Sequence, residues 1–189
     1  MKKALLVFLS ALSLVSPADA TQLSPPTAQE LQEEADALKT MIATDPKNPN
    51  WYFALGSLLM DEEHPNDAER LDTERKAEGY LKKAVELDPK LHLAWYRLAL
   101  LHLDSEEGNT YLKKAIEANP QFPPPYYWLA YAYCRHRKDV EAVPLLQTFL
   151  KVAHGDPDES ARLRTAEKIL EELRSGTDGE QLERIRETE

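Results

Sequence analysis

A run of carboxylates in the first half of the chain has the residue types for metal binding. It lies in residues 61–75, called the acidic insertion below, and comprises Asp61, Glu62, Glu63, Asp67, Glu69, Asp72 and Glu74. Carboxylate oxygens suit Ca2+, but a calcium loop alternates Asp or Asn with other residues and has a glycine at its turn. The insertion lacks that spacing, and its one histidine, His64, is too little for zinc. We therefore predict a solvated acidic loop with no metal; a contact with a basic patch on a partner is the alternative.

No other arrangement of side chains predicts a reaction centre. The remaining histidines are His92, His102, His136 and His154, and none forms a pair with metal-ligand spacing. The sequence has no nucleophile motif and no paired-carboxylate spacing of an enzyme. With 6 glycines in the chain, a phosphate-cradling loop is not expected either. We expect no enzyme activity and no cofactor.

Charge and cysteine content narrow the class of partner. The formal net charge is -10 at pH 7, which disfavours nucleic acid and anionic lipid because phosphate binding needs clustered Lys and Arg. Cys134 is the only cysteine, so the chain cannot form an internal disulfide. The expected partner is a protein or a peptide.

The N-terminal residues have the order of a secretory signal. Lys2 and Lys3 precede an apolar run over residues 4–15, and small residues flank Asp19 at Ala18 and Ala20. The run of about 12 apolar residues is shorter than the roughly 20 that a membrane-spanning helix needs. We predict a signal peptide over residues 1–20, a short linker over 21–26 and a secreted, periplasmic protein without stable membrane insertion after cleavage.

A duplicated block dominates the middle of the chain. The block YLKKAVELDP, from Tyr80 to Pro89, returns 31 residues later as YLKKAIEANP, from Tyr111 to Pro120. After each proline the sequence continues in the same phase, with Trp95 or Tyr126 leading the next segment. Self-similarity at this spacing is typical of repeat proteins, whose units bury apolar surface against their neighbours.

These repeats resemble the tetratricopeptide repeat (TPR) family. Its helix-turn-helix unit of about 34 residues follows W-x2-L-G-x2-Y, then A-x3-F, then Pro. Repeat one matches at Tyr52, Leu55, Gly56, Ala77, Leu81, Ala84 and Pro89; repeat two at Trp95, Leu98, Ala99, Gly108, Leu112, Ala115 and Pro120; repeat three at Tyr126, Leu129, Ala130, Tyr133, Ala142 and Leu146. The resemblance implies an all-α solenoid of three repeats, over residues 46–89, 90–120 and 121–154, within one domain.

Flanking helices are predicted at both ends of the repeats. Thr27 and Glu30 form a capping box that opens an N-terminal capping helix over residues 27–45. Asp156 and Pro157 open a C-terminal capping helix over residues 155–175, which Gly176 is placed to stop. Residues 176–189 form a charged tail.

The resemblance also implies a binding surface. In TPR proteins the first helix of each repeat lines a concave groove, and the corresponding side chains here are Phe53, Ser57, Tyr96, Arg97, Leu100, Tyr127, Trp128 and Tyr131. Aromatic and Arg side chains are strong contributors to recognition, and Arg97 has the chemistry to bind a carboxylate. The alternative is that these side chains cover the capping helices or one another. The Lys and Asn residues of the family's two-carboxylate clamp are absent.

The sequence therefore predicts an exported scaffold that binds a peptide or helix of an envelope partner in an aromatic groove. Two alternatives stay open. The groove could be the interface of a homodimer in a self-assembling structural protein. The chain could also be an assembly factor or chaperone for secreted proteins or cytochromes, because TPR modules of similar layout serve cytochrome maturation.

Overall fold

The computed structural model describes residues 27–61, 66–103 and 105–176, and these residues form eight α-helices and no strand. The helices are α1 (Ala28–Thr44), α2 (Pro49–Met60), α3 (Asp67–Leu87), α4 (His92–Leu101), α5 (Glu106–Ala118), α6 (Pro124–Arg135), α7 (Asp139–Val152) and α8 (Ser160–Gly176). The predicted all-α fold class is confirmed. The predicted signal peptide and linker, residues 62–65 of the acidic insertion and the tail beyond Gly176 lie outside the described residues.

The helices pack as consecutive pairs. α2 packs against α3, α4 against α5 and α6 against α7, while α1 packs against α2 and α8 against α7. The chain divides into two compact units between Asp88 and Pro89. The N-terminal unit contains α1–α3 and the C-terminal unit contains α4–α8. The division falls between repeats one and two.

Local sequence determines where most helices begin. Thr27 opens α1 through the predicted capping box, in which its hydroxyl accepts from the Glu30 amide and the Glu30 carboxylate accepts from the Thr27 amide. Asn48, Asn66 and Ser105 cap α2, α3 and α5 by accepting amide hydrogen bonds through their side-chain oxygens. At the C-terminal end, a 3-10 turn at Pro157–Glu159 precedes α8.

A hydrogen bond recurs at the start of each repeat. The leading aromatic side chain donates to the carbonyl of the proline six residues earlier: Tyr52 to Pro46 at 3.1 Å, Trp95 to Pro89 at 2.8 Å and Tyr126 to Pro120 at 3.1 Å. An aromatic ring with a polar tip can bury its body while its O–H or N–H reaches a backbone acceptor. We call this contact the proline corner. The aromatic residue at this position has a structural role.

Two glycines mark close backbone approach. A Cβ on Gly56 would lie 2.8 Å from Leu81 Cγ, so the small residue lets α2 approach α3. A Cβ on Gly108 would lie 2.1 Å from the His102 carbonyl oxygen, because the turn between α4 and α5 is very short. Gly108 occupies the alanine position of the repeat pattern, and this turn excludes even an alanine there.

The acidic insertion is largely helical, which corrects the predicted loop. Asn66 caps α3, whose first buried residue is Ala77, ten positions after its start at Asp67. This exposed stretch, residues 67–76, carries ion pairs along the helix: Arg70 with Asp67 and Glu74, Arg75 with Asp72, and Lys76 with Asp72. Pairs three or four residues apart lie on one helix face and stabilise it. We call residues 67–76 the helical extension of α3.

The core of the C-terminal unit lies among α6, α7 and α8. Phe149 and Leu146 on α7 are fully buried, and they pack in one cluster with Ala166 and Leu170 on α8. The leading aromatic of repeat three, Tyr126, belongs to the same cluster. The C-terminal capping helix therefore covers the last repeat with its apolar side, as a terminal element of a repeat array must.

Candidate functional site

The eight predicted groove residues lie in both units. Phe53 and Ser57 are half-buried on α2 of the N-terminal unit, and the Ser57 hydroxyl has no hydrogen-bond partner among the described residues. The other six lie on α4 and α6 of the C-terminal unit: Tyr96, Arg97, Leu100, Tyr127, Trp128 and Tyr131. The side-chain contacts described next are those of the C-terminal unit.

Four aromatic side chains of this unit form a connected group, which we call the aromatic cluster: Tyr96, Phe122, Trp128 and Tyr131. The Trp128 indole N–H donates to the Tyr96 hydroxyl at 3.2 Å, which joins α6 to α4. The rings of Tyr96 and Phe122 meet edge to face with centroids 5.3 Å apart, and those of Trp128 and Tyr131 do so at 6.1 Å. Edge-to-face contacts at these distances are favourable, so the rings support one another's orientation.

Burial differs along the aromatic cluster. Burial raises the pKa of the Tyr96 hydroxyl, and the hydrogen bond from Trp128 acts in the opposite direction. Tyr131, in contrast, is 39% exposed, and Trp128 between them is half-buried. The cluster therefore has a fixed inner end at Tyr96 and an open outer end at Tyr131.

Tyr127 does not belong to the open surface, which corrects its assignment to the groove. It is 9% exposed and packs against Phe149, with ring centroids 5.4 Å apart. Its hydroxyl lies beside Thr165 and Arg162 of α8. The capping helix covers this position, as the alternative interpretation of the groove residues allowed.

A small pocket lies beside the outer end of the aromatic cluster. Its volume is about 50 Å³, and its walls are Leu103, Gly108, Asn109, Leu112, Trp128, Tyr131 and Ala132. Leu103 is 39% exposed at its edge, whereas Asn109 is almost fully buried. Apolar walls with a few placed polar groups are typical of recognition sites. The walls suit an apolar group of a ligand, and Asn109 is the polar residue among them.

An ion pair lies close to the inner end of the cluster. Arg162 Nη1 donates to Glu159 Oε1 at 2.6 Å, and Glu159 is only 4% exposed. Both charges act on the Tyr96 hydroxyl, as does that of Arg97. Burial lowers the pKa of Arg162, but the hydrogen bond and charge of Glu159 outweigh it and raise the pKa overall. Arg162 therefore stays protonated.

The remaining predicted residues of α4 contribute less to this geometry. Leu100 and Arg97 are both half-buried, and Arg97 has interactions of its own.

The sequence did not single out Phe122, Leu103, Asn109, Glu159 or Arg162. Phe122 lies in the loop before three prolines, and the 156–159 segment was interpreted only as a helix start. Glu159 was therefore part of a recognised sequence pattern, but the start of a helix accounted for that pattern and no further role was inferred.

The leading aromatics of the repeats are occupied with packing. Trp95 stacks on Tyr111 with centroids 5.8 Å apart, and the Lys114 ammonium lies 4.3 Å from the Trp95 ring centroid. His92 at the start of α4 meets the Phe122 ring edge to face at 4.9 Å, and burial lowers the pKa of His92.

In the described part of the chain, no helix combines the length and apolar character of a membrane span.

One stretch of the repeats matches a known protein family in sequence. Residues 111–143 match the tetratricopeptide repeat family. No curated protein matches the chain.

Solved structures share the fold. The crystal structure of MamA has a TM-score of 0.60 and 19% identity, with 85% of each chain covered. A thermophilic TPR protein in Thermus thermophilus has a TM-score of 0.60 and 20% identity, with 72% of each chain covered. YrrB, described as a TPR protein with an unusual peptide-binding site, has a TM-score of 0.56 and 19% identity over 82% of this chain and 76% of its own. Residues 111–143 thus match the tetratricopeptide repeat family in sequence, and the helix pairs of this chain share the fold of solved TPR proteins.

Proposed function

We propose that this chain is an exported scaffold for protein–protein interaction, which binds a peptide or helix of an envelope partner on the aromatic cluster of its C-terminal unit. The observation that carries the proposal is the pocket beside Trp128 and Tyr131, with apolar walls, an exposed leucine at its edge and a buried amide. Aromatic side chains in part-exposed pockets are the usual anchors of protein recognition. The peptide-binding description of YrrB, which shares the fold, supports the same kind of ligand.

The mechanism uses a surface that is formed before the ligand arrives. The hydrogen bond from Trp128 to Tyr96 and the ring contacts fix the aromatic side chains in place. A ligand therefore loses less conformational entropy on the protein side when an apolar side chain enters the pocket. Tyr131 and Leu103 are exposed at the outer end and would cover that side chain after binding.

Export is the second part of the proposal and is supported by the N-terminal residues. Two lysines, an apolar run and the small residues Ala18 and Ala20 have the order that signal peptidase substrates share. N-terminal sequencing of protein recovered from the envelope fraction tests it. A new N-terminus at Thr21 is expected, and a retained Met1 in that fraction would contradict it.

A photo-crosslinking amino acid at Tyr131 tests the binding surface in cells that produce the full chain. We expect one specific adduct with another protein, and Lys113, which is exposed on α5, gives the matched control position. The double variant Trp128→Ala and Tyr131→Ala should lower the yield of partner, captured by a crosslinker at Leu103, by about tenfold, since two anchors are lost. Circular dichroism of the variant checks that it stays folded.

Two results would contradict the binding proposal. An adduct at Lys113 in the absence of one at Tyr131 would place the partner elsewhere. An adduct of the chain with itself alone would identify the aromatic cluster as the interface of a homodimer.

A further inference from the structure

The carboxylate of Glu159 is buried with only half of its hydrogen-bonding capacity used. Glu159 ends the 3-10 turn before α8, and its Oε1 accepts from Arg162 Nη1 at 2.6 Å. Its Oε2 is inaccessible to solvent and has no hydrogen-bond partner among the described residues. Buried polar atoms in folded proteins almost always have a partner, so an unpaired carboxylate oxygen calls for an explanation.

The position of Arg162 explains why the pair is incomplete. Arg162 is three residues after Glu159, in the first turn of α8, and reaches the carboxylate with one nitrogen. A guanidinium and a carboxylate bind most strongly when two parallel N–H groups contact both oxygens. The short stretch of backbone between Glu159 and Arg162 restricts how the Arg162 guanidinium can approach the carboxylate. A guanidinium from another chain does not have this restriction and can contact both oxygens with two parallel N–H groups.

The surroundings of the pair suit a guanidinium. The hydroxyl groups of Tyr96 and Tyr127 lie within electrostatic range of Arg162, and Tyr96 is hydrogen-bonded to Trp128 of the aromatic cluster. Arginine is weakly hydrated and stacks on aromatic rings, so it tolerates such a site better than lysine does.

We infer that Glu159 is a recognition site for an arginine side chain of the bound segment, and that Arg162 is an internal occupant that gives way to it. This inference rests on the proposed function and specifies the chemistry of the partner. About one third of the Arg162 side chain is exposed, so it can turn outward without disturbing the core. The incoming guanidinium then bonds both Glu159 oxygens, and the neighbouring apolar residue of the ligand enters the pocket beside Trp128.

The test uses two small probes on the full chain, Nα-acetyl-arginine amide and its neutral isostere Nα-acetyl-citrulline amide. The indole N–H resonance of Trp128, assigned by comparison with Trp128→Phe, reports binding. We expect the arginine probe to shift this resonance and the citrulline probe to bind about tenfold more weakly, because it lacks the charge. Equal shifts with both probes would overturn the inference.

Two variants and a control separate this site from general attraction to an acidic protein. Glu159→Gln should abolish the response to the arginine probe, whereas Glu167→Gln, an exposed position of α8, should preserve it. Arg162→Ala removes the internal occupant and should tighten binding of the arginine probe severalfold. Weaker binding by Arg162→Ala, or an unchanged response of Glu159→Gln, would show that the pair is only structural and that water completes Oε2. If Glu159→Gln does not fold, the Arg162→Ala comparison decides alone.

The result is distinguishable from a failure of the proposed function. A partner adduct at Tyr131 together with no difference between the two probes would reject the arginine site and leave the scaffold in place. No adduct at Tyr131 together with a Glu159-dependent response to arginine would reject the proposed partner surface alone.

Discussion

Gly108 is the single residue on which the connection between α4 and α5 most depends. The turn between α4 and α5 has four residues, 102–105, and the helix that follows starts against the carbonyl of His102. Gly79, in the middle of α3, has open space around its Cα instead. Both glycines lie in helices, where alanine is generally preferred to glycine. Comparing alanine substitutions at the two positions therefore separates the effect of the close contact at Gly108 from this general preference.

We predict opposite effects for the two glycine substitutions. Gly108→Ala should lower the free energy of unfolding by about 1–3 kcal/mol or more, because the new Cβ would displace the backbone at His102. Gly79→Ala should raise it by about 0.5–1 kcal/mol, because alanine has the higher helix propensity. Urea unfolding followed by circular dichroism measures both. A change of the same sign in both variants would contradict this account.

For individual residues, the sequence predicted the aromatic character of the binding surface better than it predicted which side chains are exposed to solvent. The family resemblance implied that Trp128 and Tyr131 lie on the binding surface, and they line the pocket. Tyr127 has the same aromatic character and an equally suitable position, yet α8 covers it. Burial at this position depends on the path of a helix more than thirty residues away in sequence. Repeat phase contains no information about that path.

Among the elements, α3 departs most from its repeat. It has 21 residues where its partner α2 has 12, and the helical extension makes up its N-terminal part. The sequence predicted an insertion here but not its conformation. The extension has no apolar stripe, so hydrophobic periodicity gave no helix signal. The Asn66 cap and the i,i+3 and i,i+4 ion pairs were the signals that identify it as helix.

We predict that the helical extension contributes little to global stability. Leu71 in the extension is 53% exposed, so Leu71→Ala should change the free energy of unfolding by no more than about 0.5 kcal/mol. Leu81 in the same helix is fully buried, so Leu81→Ala should lower it by about 2–5 kcal/mol. Urea titration of both variants makes the comparison. A large loss in Leu71→Ala would contradict this prediction.

In the whole molecule, charge is divided unevenly along the sequence. Residues 27–88 contain 15 acidic and 7 basic side chains, whereas residues 89–176 contain 12 of each. The N-terminal unit therefore carries most of the negative charge, and the aromatic cluster lies in the unit whose charges balance. This division was evident in the sequence, whereas the place where the chain separates into two units was not. The repeat resemblance predicted continuous stacking, and Pro89 has the same local sequence context as Pro120.

We predict that partner capture at the aromatic cluster weakens as salt is added. An acidic protein attracts a basic segment over distances that dissolved ions screen, with a Debye length of about 10 Å at 0.1 M salt. The yield of the Tyr131 adduct should fall severalfold between about 50 and 300 mM NaCl. A control with NaCl added only after irradiation excludes effects on recovery. A constant yield would indicate a neutral partner that is held by apolar contacts alone.

The proline corner allows a repeat-length segment to be copied with its own stabilising contact, both in evolution and in protein engineering. Its donor and acceptor are six residues apart in sequence, at all three places where it occurs. A gene duplication that starts at the proline, as in residues 89–119, therefore copies the complete proline corner with no second mutation elsewhere in the chain. The two nearly identical blocks ending at Pro89 and Pro120 are consistent with growth by such copying. The same property recommends residues 89–119, which contain both Pro89 and Trp95, as the segment to insert when a longer array is wanted.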